Sequence, residues 1–129
     1  MNQNNSTTIK PFLVVSNAEK AIEFYTINFG AVVCIKHKIG TNKLICQIAI
    51  EGAEFWVGDN DNDTDVSPKV ASLSSIVRLV LNTKNADSLF NNAIKNGATL
   101  LCPMTTENVW RIGRLIDPFG HVWEIGYIL

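Results

Sequence analysis

A single carboxylate in an otherwise apolar segment is the first candidate for chemistry in this chain. The segment DPFGHVWEIG covers residues 117–126 and places Glu124 between Trp123 and Ile125. A carboxylate in such surroundings can serve as a general base or as a ligand, or it can point to water from the outer face of a β-strand. Because charged residues are rarely buried, this segment alone favours the solvent-facing interpretation.

Other residues with reactive or metal-binding side chains are few. The two histidines are His37 and His121, and strand alternation places His121 on the face away from Glu124, where a role in the turn is expected. No CxxC pair occurs, so we expect reduced and mostly buried thiols rather than disulfides or a zinc site. The cysteines are Cys34, Cys46 and Cys102.

A run of spaced acids resembles a calcium loop in spacing but not in detail. It consists of Asp59, Asp61, Asp63 and Asp65. A loop of the EF-hand type that starts at Asp59 needs Gly at its sixth position and Glu at its twelfth, where this chain has Thr64 and Val70. The run is therefore interpreted as part of a solvated linker.

Composition excludes several classes of partner. The chain has 129 residues, is 47% hydrophobic and has 11 basic against 12 acidic residues. It can bury a core, and it has no basic cluster typical of nucleic-acid binding. It also has no apolar run long enough to span a membrane and no signal-peptide pattern at its start. We therefore expect a cytoplasmic protein whose partner is a small molecule of unknown identity, not nucleic acid or a membrane.

The chain repeats one order of elements, βαβββ. Residues 1–8 are polar and are predicted to be disordered. The first module then spans about 9–58, a linker spans 59–74, and the second module spans about 75–128. The first helix, SNAEKAIEFYTINFGA, is expected to be capped by Asn17 or Ser16 and to end at Gly30. The segments GAEFWVG at 52–58 and GHVWEIG at 120–126 match at an offset of 68 residues.

Together with the paired modules, the segments AIEFYTINFGA and WRIGRLIDPFGHVWEIG resemble the vicinal oxygen chelate superfamily, which includes glyoxalase I, extradiol dioxygenases and bleomycin-resistance proteins. The resemblance covers about residues 9–128 as one domain. It implies an α+β fold in which two βαβββ modules form curled mixed sheets around a cavity. In metal-dependent members, the ligands come from the first and last strands of each module.

The resemblance places the four ligand positions of the family on Lys10, Trp56, Arg78 and Glu124. The offset of 68 agrees with it, because it pairs residue 10 with 78 and residue 56 with 124. The family has His, Gln or Glu at these positions, and only Glu124 keeps that pattern. Charged Lys and Arg have no lone pair for a metal, and Trp is only a hydrogen-bond donor. We therefore expect no metal ligands and no cofactor.

Strand alternation sorts the side chains into two faces. One face is expected to pack under the helices: Leu13, Val15, Phe55, Val57, Leu79, Leu81, Trp123 and Ile125. The other is expected to line the cavity: Lys10, Phe12, Val14, Trp56, Arg78, Val80, Val122 and Glu124. Trp110 and Arg111 are predicted at its mouth. The alternative is a filled core in which Arg78 or Lys10 neutralises Glu124 as a structural ion pair.

Three functions remain for this cavity. The first is a metal-free protein that binds a planar or charged compound between aromatic walls, similar to the drug-sequestering resistance proteins. The second is a metal-free lyase or isomerase in which Glu124 is the general base and Arg78 stabilises an oxyanion. The third, a metal-dependent lyase or dioxygenase, is disfavoured by the ligand positions. A homodimer is expected, because a small double module has sheet edges and apolar cavity walls to cover.

Overall fold

A computed structural model describes residues 7–60 and 77–129. Most of the N-terminal segment predicted to be disordered, most of the predicted linker, and Asp61, Asp63 and Asp65 lie outside these residues. The described part is an α+β fold of two four-stranded mixed sheets and two helices, as the sequence predicts.

The first module has one helix and four strands. They are β1 (Phe12–Val15), α1 (Ala18–Phe29), β2 (Val32–Ile39), β3 (Lys43–Ile50) and β4 (Ala53–Asp59). The sheet order is β1-β4-β3-β2, in which β1 pairs parallel with β4 and the other pairs are antiparallel. The β3–β4 hairpin turns through Glu51 and Gly52, which both have positive φ angles, as a two-residue primed turn requires.

The second module repeats this arrangement. Its elements are β5 (Arg78–Asn82), α2 (Ala86–Lys95), β6 (Thr99–Glu107), β7 (Trp110–Ile116) and β8 (Val122–Ile128). The sheet order β5-β8-β7-β6 is that of the first module with each strand replaced by its counterpart. The parallel strand pairs of the two modules have the same register. Phe12 pairs with Trp56, and the residues 68 positions after them, Val80 and Glu124, also pair.

Helix α1 begins and ends where its sequence predicts. The side chain of Asn17 accepts a hydrogen bond from the backbone N–H of Lys20, which is an N-cap interaction. Gly30 ends the helix in the left-handed conformation at φ 68°, where a side chain would be strained. Asn17, rather than Ser16, is therefore the cap.

Asp59 belongs to the first module rather than to the linker in which it was predicted. It is the last residue of β4, opposite Val15. Its Oδ1 accepts a hydrogen bond from the N–H of Ala18 at 2.7 Å, and its Oδ2 accepts one from the N–H of Leu44 at 2.8 Å. The carboxylate thus joins the start of α1 to the start of β3, which is a structural role and not that of a calcium ligand.

The helices cover one face of each sheet, and both modules contribute to one core. The face predicted to pack under the helices does so: its residues are buried in this core, with Leu79 packed against it. Aromatic rings of α1, β4 and β8 meet there, with Phe29 and Trp123 centroids 5.0 Å apart. The opposite face of each sheet has no helix over it within the described residues, and we call it the open face.

A buried carboxylate fastens the modules together. Oδ2 of Asp117 accepts hydrogen bonds from the Tyr25 hydroxyl at 2.6 Å and from Trp123 Nε1 at 2.9 Å, while Oδ1 accepts from the N–H groups of Phe119 and His121. Burial, and then the Asp117 charge and hydrogen bond, raise the pKa of Tyr25 well above 10.0. The most recognisable segments of the sequence, around Tyr25 and Asp117, therefore contact one another as structural elements.

Two further contacts join the modules near their turns. The Glu51 carboxylate accepts hydrogen bonds from the Thr83 hydroxyl and from Asn85 Nδ2, each at 2.8 Å. These hydrogen bonds, that from Asn85 first, lower the pKa of Glu51 below 4.5. On the other side, His121 Nε2 lies 3.0 Å from the carbonyl oxygen of Val14. The ring of His121 therefore contacts the first module and not its own turn, where a role was expected; only its backbone bonds within the turn, to Asp117.

The expectation that the cysteines are mostly buried is wrong for two of the three. Cys46 is buried, whereas Cys34 and Cys102 are exposed. The exposed pair lies on β2 and β6, the outermost strand of each sheet, where one edge has no neighbouring strand in the described sheets. In the described residues, no helix is long and apolar enough to cross a membrane.

Candidate functional site

Glu124 lies on the open face of module two, between two arginines. Its Oε1 accepts a hydrogen bond from Arg78 Nη1 at 3.2 Å and from Arg114 Nε at 3.0 Å. The strand register explains the group, because Arg114 on β7 is directly opposite Glu124 on β8, and Arg78 on β5 is opposite Val122. Of the two cations expected to pair with Glu124, the structure shows Arg78 and not Lys10.

The accessibility of these side chains distinguishes the site from a core ion pair. The side chain of Glu124 is 17% exposed, while those of Arg78 and Arg114 are 45% and 43% exposed. The Glu124 carboxylate is therefore the least exposed member of the group, and both guanidinium groups reach solvent. The sequence left open a filled core in which this ion pair is fully enclosed. Within one chain the ion pair is not enclosed, because both arginines reach solvent.

A cleft extends from this group along β7. It has a volume of about 330 Å³ and is lined by Glu107, Asn108, Trp110, Ile112, Arg114 and Glu124. Trp110 is partly exposed, so its indole presents a surface for a planar group. Trp110 thus lies in the same cleft as Glu124, as a wall at one end and not as a distant surface residue.

Arg111 points to the other face of the sheet. It is opposite Tyr127 in register, and its Nη2 donates to Asp87 Oδ1 at 2.9 Å, with Nε bonded to the same oxygen. Asp87 lies in the first turn of α2. The structure therefore does not bring Arg111 to the mouth of the cleft predicted for it, because neighbouring residues of a strand alternate between faces.

The open face of module one has a different polar group. Lys10 Nζ donates to Glu54 Oε1 at 2.7 Å and to Gln47 Oε1 at 3.1 Å. Gln47 is buried and opposite Trp56 in register, so both lie on this face. Lys10 is thereby satisfied within its own module, and no contact joins it to Glu124 among the described residues.

Phe12 covers the sheet beside this group. A Cβ atom on Gly58 would lie 2.6 Å from Cζ of Phe12, so the ring occupies the space left by the glycine. Phe12 is still partly exposed, as is Val14 next to it on the same face. Module one therefore presents an apolar, ring-covered surface, whereas module two presents a cleft.

The side chains at the four family positions do not form a metal site. Lys10 and Arg78 are both engaged as hydrogen-bond donors to carboxylates, and Trp56 has no lone pair to offer. Among the described residues, no group of three or more His, Cys, Asp or Glu side chains is placed to hold an ion. The donor set at these positions does not fit a divalent metal.

Sequence reasoning missed three members of these groups, namely Gln47, Glu54 and Arg114. All three lie opposite, or two residues from, a residue that the sequence did place on the open face. Extending the alternation from the first and last strands to their hairpin partners would have found them. For Gln47 and Arg114 that step needs the register of the β3–β4 and β7–β8 hairpins, whose turns differ in length, whereas Glu54 follows from alternation along β4 alone.

Comparison with known proteins agrees with the fold. No family model matches the chain. An uncharacterized protein of Mycobacterium bovis is 33% identical over 131 residues, covering 95% of this chain and 84% of that protein. The glyoxylase/bleomycin resistance protein/dioxygenase domain from Frankia superposes with a TM-score of 0.76 at 14% identity, covering 96% of this chain and 93% of that domain.

A second solved structure has the same fold. The fosfomycin resistance protein FosX of Listeria monocytogenes, solved with Mn(II) and sulfate, gives a TM-score of 0.68 at 13% identity, covering 96% of this chain and 93% of that one. These structural likenesses establish the fold, which is that of two-module vicinal oxygen chelate proteins. The chain belongs to the same family as its mycobacterial relative.

Proposed function

We propose that this protein binds a small planar or charged molecule, without a metal, in the cleft of module two. The observation that supports this most directly is the open cleft that has Trp110 at one end and Arg114 and Glu124 at the other, with Arg78 hydrogen-bonded to Glu124 beside it. Small-molecule sites are typically concave and mostly apolar with a few convergent polar groups. This cleft combines convergent polar groups with the apolar surfaces of Trp110 and Ile112, and it includes Glu124, which occupies one of the ligand positions of the family.

The binding unit is proposed to be a homodimer. Phe12, Val14 and Val80 are apolar residues on the two open faces, and each is exposed in the single chain. Pairing the open face of one copy with that of another removes this apolar surface from water and encloses the cleft. Light scattering tests this: a dimer mass at micromolar concentration is expected, and a monomer mass at all concentrations contradicts it.

The alternative of metal-free lyase or isomerase chemistry has less support. Oε1 of Glu124 accepts hydrogen bonds from both Arg78 and Arg114, so a general base would have to use the other oxygen, Oε2. The geometry favours a carboxylate that holds the arginines in place. Glu124 therefore acts as their counter-ion in this proposal.

Binding in the cleft can be tested with planar probes and NMR. The indole N–H resonances of Trp56, Trp110 and Trp123 are followed while 2-naphthoate, 2-naphthamide and 2-naphthylamine are added. The proposal expects at least one probe to shift Trp110 saturably while Trp123, which is buried, moves little. Trp110→Ala should abolish that binding as measured by titration calorimetry, and Val109→Ala, at the neighbouring exposed turn residue, should not. No saturable shift of Trp110 with any probe would contradict the proposal.

A further inference from the structure

We infer that the ligand of this cleft has a carboxylate group, which the pair Arg78 and Arg114 binds, attached to a planar body that lies on Trp110. The inference rests on the proposed function, because it assigns the class of compound to the same cleft. Its basis is the arrangement of charge and of unused donors around Glu124.

One carboxylate is shared by two guanidinium groups. Both contacts fall on Oε1 of Glu124, and each arginine uses a single nitrogen in them: Nη1 of Arg78 and Nε of Arg114. The other N–H donors of both groups take part in no hydrogen bond among the described residues, and both side chains are almost half exposed. The cluster thus has one positive charge in excess and a set of free donors that face solvent.

A carboxylate of the ligand matches this set of donors. Guanidinium groups present planar, paired N–H donors that bind a carboxylate through two parallel hydrogen bonds. Glu124 fixes the position of both arginines before the ligand arrives, so less freedom is lost on binding. A neutral ligand would leave the excess charge uncompensated when the cleft is covered.

The other end of the cleft gives the ligand an orientation. Glu107 and Trp110 are paired in register at the far end of the β6–β7 hairpin. Arg114 is four residues further along β7, which is about 13 Å at the usual rise of a strand. A ligand carboxylate near Glu107 would be repelled, whereas one near Arg114 is attracted, and Ile112 lies between Arg114 and the end formed by Glu107 and Trp110. The ligand is therefore anionic at one end only.

A matched pair of probes separates this inference from the proposed function. The compounds 2-naphthoate and 2-naphthamide have the same ring and nearly the same shape, and differ in charge. The inference expects the carboxylate to bind at least about tenfold more tightly than the amide, as measured by titration calorimetry with the wild-type chain. Equal affinities would overturn the inference while leaving binding in the cleft intact, and binding of neither compound would overturn both.

Variants locate the source of the preference. Arg114→Gln and Arg78→Gln should each reduce the preference to about threefold or less, and Arg114→Lys should retain part of it because the charge stays but the paired donors are lost. Lys95→Gln, on the exposed end of α2, makes the same change in net charge and should leave the preference unchanged. Thermal melts check that each variant folds. A preference that survives both arginine variants, or that Lys95→Gln removes equally, would contradict the inference.

Discussion

The two open faces of this molecule share one backbone plan and differ in how their cations are balanced. In module one, Lys10 is matched by Glu54 and also bonded to Gln47. In module two, Arg78 and Arg114 share the single carboxylate of Glu124. The equivalent residues Lys10 and Arg78 therefore belong to a balanced polar group in one module and to an unsaturated pair of cations in the other.

This difference shows that the repeated fold supplies positions and not a function. Module one adds the ring of Phe12 over Gly58, which produces a covered surface. Module two has Val80 as the counterpart of Phe12 on β5, so its strand leaves the charged group open. A duplicated module can thus specialise by changes on one face while the other face keeps the shared core.

The largest effect is expected from the carboxylate that only module two provides. By strand register Asp117 has Ile50 as its counterpart in module one, and it accepts four hydrogen bonds. Asp117→Ala leaves the Tyr25 hydroxyl and the Trp123 indole buried without a partner, so it should lower the free energy of unfolding by on the order of 3 to 5 kcal/mol. Urea denaturation measures it.

The control for this prediction is Asp87→Ala, which removes a partly exposed ion pair with Arg111. It should cost less than about 1 kcal/mol, as exposed pairs usually do. Similar costs for the two variants would show that Asp117 does not fasten the modules.

The next prediction compares alanine substitutions at two equivalent glycines, Gly58 and Gly126. A Cβ on Gly126 would meet the backbone carbonyl of Arg111, which cannot move without disturbing the β7–β8 pair. A Cβ on Gly58 would meet the ring of Phe12, which can rotate away. We expect Gly126→Ala to cost about 1 to 3 kcal/mol and Gly58→Ala less than about 1 kcal/mol. Equal costs in chemical denaturation would refute this difference.

A smaller effect is expected when the two open-face carboxylates are neutralised. Glu124→Gln and Glu54→Gln should each change the free energy of unfolding by less than about 1 kcal/mol, because the cations on both faces can still reach water. A cost of several kcal/mol for Glu124→Gln alone would mean that Glu124 is a structural ion-pair partner, which is the alternative interpretation from the sequence. Denaturation at neutral pH distinguishes these outcomes.

The smallest effect concerns the contact of Glu51 with module two. Its pKa is lowered in the folded state, so its contribution to stability is present above pH 4.5 and is lost as the pH falls through the folded value. Wild-type melting temperature should therefore decrease more steeply than that of Glu51→Gln below pH 4.5. Parallel curves for the two proteins would show that the charge of Glu51 does not contribute.

The sequence predicts the fold well because its signals are local or repeated. Asn17 and Gly30 mark the ends of α1, and the match of GAEFWVG with GHVWEIG reveals the second module. Strand alternation also assigns the core face correctly. These features depend on neighbouring residues or on the offset of 68, and neither requires knowledge of how the hairpins are paired.

The site is predicted less completely because it is built across strands. Arg114 belongs to the site because it pairs with Glu124. Arg111 does not belong to it, because the register places its side chain on the helix side of the sheet. Lys10 likewise donates hydrogen bonds to Gln47 and Glu54, which lie on other strands. The ligand-binding roles of Lys10, Phe12, Trp56, Arg78, Trp110 and Glu124 stay predictions, as do the cytoplasmic location and the extent of the linker.

The measurement that tests the central claim most directly is a crystal structure of the protein grown with 2-naphthoate. The account predicts density in the cleft of module two, with the carboxylate within hydrogen-bond distance of Arg78 and Arg114 and the ring against Trp110. Density on the open face of module one beside Lys10 and Trp56, or a metal ion bound to Glu124, would contradict it.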